Sequence, residues 1–147
     1  MSHQNKVKKL SRPKPHRELM LANLATSLFE HRMIETTHAK ATELRRLADR
    51  LITIGKKDTL AAQRQVAQTI RDKAVHKKLF AEIIPNLQDR NSGYTRVIKK
   101  SVRRGDAAII SVVELLTPRP KKVEPETKKK RKKAAPQPDA ATDSAAE

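Results

Sequence analysis

The chain has no cysteine, no tryptophan, three glycines and only three aromatic residues among 147 positions. Each shortage excludes a class of chemistry. Without cysteine there is neither a disulfide framework nor a thiolate metal site, which agrees with a reducing compartment. Three scattered glycines can build neither a P-loop nor a G-x-G-x-x-G dinucleotide fingerprint. The aromatics are Phe29, Phe80 and Tyr94. Modules that read single strands by stacking need several aromatics on one sheet, so an RRM-type or OB-type binder is disfavoured. No apolar stretch approaches the length of a membrane span. The first twenty residues are charged and contain proline, with no apolar signal-peptide core. The expectation is a soluble, cytoplasmic protein without membrane association.

Catalytic constellations are missing too. His3, His16, His31, His38 and His76 form no H-x-x-x-H or H-E-x-x-H pair. Ser27 and Ser111 stand in no nucleophile-elbow context. The sequence therefore predicts no enzyme, no catalytic residue, no metal, no cofactor and no small-molecule substrate.

What the chain has in excess is positive charge: 33 Lys and Arg against 16 Asp and Glu, net +17. Such an excess opposes compaction through self-repulsion unless a polyanion neutralises it, so nucleic acid is the expected partner. The charge is spread along the chain. Glu18–Thr117 holds 18 basic and 11 acidic residues, a net of +7; the segment before it adds six and the segment after it four.

Residues 1–15 read as a basic arm, with Pro13 and Pro15 opposing a helix. A folded domain is expected over 16–117. Met20, Leu21, Leu24, Ala25 and Leu28 place a helix over about His16–His31. Met33–Thr37 reads as a strand, and Thr37 as the N-cap of a helix reaching about Lys56. In that helix Ala41, Leu44, Leu47, Ala48 and Leu51 face inward, while Arg46, Asp49 and Thr53 face out. Asp49 lies within ion-pair reach of Arg45 and Arg46. Gly55 with Lys56-Lys57 reads as its C-terminal signal. Asp58 is expected to cap a helix over Thr59–Ile70 with a thin stripe of Leu60, Ala67 and Ile70. Another runs from Asp72 to Ile84, closed by Pro85.

Asn91–Leu116 then forms a hairpin, its strands joined through Gly105-Asp106. The second strand is apolar at odd and even positions alike, which predicts that both its faces are covered. The hairpin edges carry Arg96, Lys99, Lys100, Arg103 and Arg104, a second basic surface. Residues 118–147, Lys-rich and then Ala- and Asp-containing, are expected to be disordered.

Several segments in this order resemble the bacterial large-subunit ribosomal protein number seventeen family. They are His16-Arg17 before Met20–Leu28, Ile34-Glu35-Thr36-Thr37-His38-Ala39-Lys40-Ala41 with Glu43-Leu44-Arg45-Arg46, Leu51–Lys56, Gly93–Val97 and Arg104–Ala107. The resemblance spans about His16 to Leu115. It implies an α+β fold, a two-layer domain of order α-β-α-α-α-β-β with a three-stranded mixed sheet. It also implies attachment to large-subunit rRNA, with neighbouring ribosomal proteins near the polypeptide exit region.

Together these readings predict a structural rRNA-binding protein that acts through phosphate contacts. The candidate contact residues are His3, Lys6, Lys8, Lys9, Arg12 and Lys14 of the arm, His16 and Arg17, Lys40, Arg45 and Arg46 of the second helix, and Arg96, Lys99, Arg103 and Arg104 of the hairpin. The alternative is a nucleoid-associated or histone-like DNA binder, suggested by the Lys- and Ala-rich tail.

Overall fold

The computed structural model describes residues 8–117. The expectations for 118–147, and for His3 and Lys6, lie outside them. The first helix, α1 (Lys14–His31), begins two residues before the expected start. Pro15 falls in its first turn, where a missing N–H is not needed. Arg32 ends the helix in the left-handed region (φ 63°), its N–H reaching the Leu28 carbonyl at 2.7 Å. The first strand, β1, occupies Met33–Thr37 as expected.

The long helix α2 (His38–Gly55) buries Ala41, Leu44, Ala48, Leu51 and Ile52 against the sheet and α1. Thr37 holds the N-cap position, but its side chain makes no capping bond. Gly55 is the last helical residue and is fully packed, so its role is close approach rather than a left-handed cap. Helix α3 (Leu60–Thr69) is capped by Thr59, whose hydroxyl accepts from the Ala62 N–H at 3.2 Å. Asp58, the expected cap, instead takes a left-handed turn (φ 44°). The buried stripe of α3 is Ala62 and Val66, continued by Ile70 at the same four-residue interval. Leu60 is 63% exposed, so of the expected stripe only Ile70 is in the core.

Helix α4 (Lys73–Lys78) is capped by Asp72, which accepts from the Ala74 N–H at 2.8 Å. The expected single helix to Ile84 widens into a π turn over Leu79–Ile83 and then a 3-10 turn, Pro85–Leu87. The wider turn, closed by Ile84 N–H to Leu79 C=O at 2.9 Å, rotates the following residues. Leu79, Ile83, Ile84 and Leu87 thereby all enter the core.

Strands β2 (Thr95–Val102) and β3 (Ile109–Leu115) form the hairpin. The sheet order is β1-β3-β2, and both pairings are antiparallel. This corrects the mixed sheet while leaving the α+β class and the element order as expected. The most apolar strand takes the centre, where it pairs on both sides. Hence β1 and β2, which run the same way, never become neighbours.

The core lies between the helices and one face of this sheet, where Ser111, Val113 and Leu115 are buried. Tyr94 joins it, almost fully buried, its hydroxyl donating to the Asn91 carbonyl at 3.0 Å. The opposite sheet face, bearing Met33, Ile98 and Val112, has no helix over it among the described residues. The expectation that both faces of β3 are covered is therefore corrected: the fold is two layers, with alternate residues of β3 buried and the others half-buried or exposed.

Candidate nucleic-acid interface

The exposed side of α2 carries the most regular array of cations. Arg46, Arg50 and Lys57, with Thr53 between the last two, recur at intervals of four, three and four residues and are exposed. At 3.6 residues per turn this spacing puts Arg46, Arg50 and Thr53 in one row along the helix, about 10 Å from first to last at 1.5 Å per residue, with Lys57 in the turn that follows Gly55. Arg46 also holds Glu43, its Nη1 3.3 Å from the carboxylate of this buried acid. Arg50 and Lys57 have no ion pair among the described residues. Neither is among the contact residues expected from the sequence, although their intervals of four and eleven from Arg46 mark them.

Beside this row, Arg45 lies 3.8 Å from Asp49. Asp49 is half-buried, not outward, because it also accepts a 3.0 Å bond from the Thr95 hydroxyl and so ties α2 to β2. Arg46 pairs with Glu43. Lys40 does not share the row. It is half-buried and falls in register with Leu44 and Leu47, on the side of α2 that turns toward its neighbours.

At the amino-terminal end, Lys8 and Lys9 are exposed, and so is His16 on the first turn of α1. Lys14 is 4.0 Å from Glu18, an exposed pair that leaves its ammonium largely in water. Arg17 is half-buried. Arg12 folds back on its own chain, donating to the Leu10 carbonyl at 2.8 Å across a turn in which Leu10 and Ser11 have φ of 54° and 51°.

The hairpin is less basic than its composition suggests. Arg96 lies 3.5 Å from Glu114, Lys100 is paired with Glu35, and Arg103 is paired with Asp106. Lys99 and Arg104 are the cations it leaves without an ion pair among the described residues. The connection 103–108 is closed by Arg103 N–H to Ala108 C=O at 2.9 Å, with Gly105 at φ 102°. The Arg103 guanidinium, and next the Ala108 N–H, hold the Asp106 carboxyl down at about 2.

Other chemistry finds no geometry here. No group of three His, Cys, Asp or Glu side chains among the described residues could hold a metal ion. His38 Nδ1 lies 3.0 Å from the hydroxyl of buried Ser111, a contact that fastens the start of α2 to the central strand. No helix of the described residues is long and apolar enough to cross a membrane.

Comparison with known proteins bears on this surface. The family model described as ribosomal protein L17 matches residues 20–116. The large ribosomal subunit protein bL17 of Geobacter metallireducens is 48% identical over 136 residues, covering 92% of this chain and 72% of that protein. That of Fusobacterium nucleatum is 47% identical over 116 residues, 79% of this chain and all of its own length. That of Trichlorobacter lovleyi is 49% identical over 116 residues, 79% of this chain and 94% of its own. The matched span includes β1, α2 and the whole hairpin, and with them the cationic row of α2. The chain belongs to the ribosomal protein L17 family.

Proposed function

We propose that this protein binds large-subunit rRNA by neutralising phosphates with the outer row of α2, flanked by the arm and by the hairpin cations Lys99 and Arg104. Membership of the L17 family makes the chain a structural constituent of the large ribosomal subunit and not an enzyme. The observation that carries the finer reading is the row itself: Arg46 and Arg50 lie on one exposed face of a rigid helix and exposed Lys57 follows in the turn after its end, with no acid between them in that row. A fixed array of cations loses little conformational freedom on meeting a phosphate backbone, and each contact releases condensed counterions. Lys8 and Lys9, exposed ahead of α1, extend the positive surface. Placement beside the polypeptide exit region, next to other large-subunit proteins, is the position that the family resemblance implies. No observation favours the nucleoid-associated alternative.

The experiment is a salt titration of binding to a large-subunit rRNA fragment. Arg50→Gln with Lys57→Gln removes two cations that hold no ion pair among the described residues, so the fold should be untouched. The slope of log affinity against log salt should flatten by about 1–2 units. Parallel lines for the variant and the parent would assign the phosphate contacts to other elements.

A further inference from the structure

The two layers of this fold carry opposite electrostatic characters. On the helical side, the outer row of α2 presents cations. On the far side, the uncovered sheet face presents Ile98, 45% exposed, directly opposite half-buried Val112, and Met33, 38% exposed, diagonal to Val112 and opposite Glu114. Both cations of that face are matched on it: Arg96 pairs with Glu114, and Lys100 reaches across the central strand to Glu35. The net charge of the face is therefore zero in a chain of +17.

We infer that this sheet face docks a different protein of the large subunit, through apolar side chains of that partner laid over Met33, Val112 and Ile98. The inference rests on the ribosomal reading above and adds which side of the molecule meets protein. Charge decides among the occupants. A phosphate backbone would meet two carboxylates here, and cations already neutralised by them, so RNA has nothing to gain on this face. A second copy is opposed by the repulsion between two chains of +17. The chain's own ends offer little apolar bulk: residues 118–147 contain one branched aliphatic residue, Val123, and residues 1–7 contain Met1 and Val7. A neutral polypeptide with apolar side chains satisfies the face, because it covers the apolar residues and leaves intact the two ion pairs that lie among them and are already matched within the face.

The test uses the full chain assembled into large subunits and purified with them. The photo-crosslinker p-benzoylphenylalanine is substituted at Ile98 and, in a separate sample, at Thr53 in the outer row of α2. Irradiation at Ile98 should give an adduct that survives ribonuclease and that mass spectrometry resolves into this chain and one other large-subunit protein. The Thr53 sample should give an adduct with rRNA. An rRNA adduct, a second copy of this chain, or no adduct at Ile98 overturns the inference. A chain that fails to sediment with large subunits overturns the ribosomal reading along with it, so the two failures are distinguishable. As an independent readout, Ile98→Glu should lose retention on salt-washed subunits while keeping the parent's affinity for the naked rRNA fragment. An equal loss on naked rRNA would show that the face meets RNA.

Discussion

Ile84 rests on the bare backbone of Gly55: a Cβ at that glycine would stand 2.5 Å from the Ile84 Cδ1. The contact joins the end of α2 to the π turn, and it explains why a helix-disfavouring residue occupies a buried helical position. Ile84 is itself 4% exposed, so its terminal methyl has little room to move aside.

Gly55→Ala gains about 1 kcal/mol of helix propensity and is opposed by about 1–3 kcal/mol of overpacking, for a net loss. In an Ile84→Val background the offending methyl is gone, so the same change should become neutral or stabilising. Denaturant titration of the four proteins in this cycle measures the coupling. Additive effects would mean that the two side chains do not meet.

Lys56 closes the other side of the same junction. Its ammonium donates to the carbonyls of Gln88 (3.1 Å) and Arg90 (2.5 Å) and lies 5.4 Å from the centre of the Tyr94 ring. Lys56→Met keeps the aliphatic stem and removes all three contacts. The expected loss is about 1–3 kcal/mol, from two charge-assisted hydrogen bonds and a partly exposed cation–π contact. Unchanged thermal unfolding would show that water replaces the ammonium without penalty.

The hairpin connection depends on Gly105, whose φ of 102° is disfavoured for any residue with a Cβ. Nothing crowds the position, so the effect of a substitution there is conformational and not steric contact. Gly105→Val should destabilise the domain by about 1–3 kcal/mol. Retained stability on urea titration would mean that the connection rebuilds around another turn.

Asp106 provides a pH-dependent reading of the same connection. Its carboxyl is held at about 2, first by the Arg103 guanidinium and then by the Ala108 N–H. A depressed folded-state value means that the ionised form is favoured by folding. This contribution is complete above the unfolded carboxylate range near 4, and is lost as pH falls from there through about 2. In Arg103→Gln the carboxyl should titrate closer to its ordinary value, as followed by carboxyl NMR. A titration that stays near 2 would assign the shift to the backbone N–H alone.

The sequence by itself determined the class, the element order and the bounds of β1, because these are set by local periodicity. Leu44, Ala48 and Leu51 could face only one way on a helix, and Met33–Thr37 reads as a strand through its β-branched residues. It also determined the family, through residues spread from His16 to Ala107, and the cationic excess that points to nucleic acid. Tertiary structure alone decided which acids quench which cations. Glu35 and Lys100 are 65 residues apart, and Arg96 meets Glu114 only through the β2–β3 register, so the hairpin reads as basic in sequence yet is largely neutralised in the fold. The same holds for the π turn after α4, which carries Leu79, Ile83 and Ile84 into the core. The antiparallel sheet has this origin as well: β3 takes the centre because two partners cover its ladder on both sides, a choice made between strands and not within any one of them.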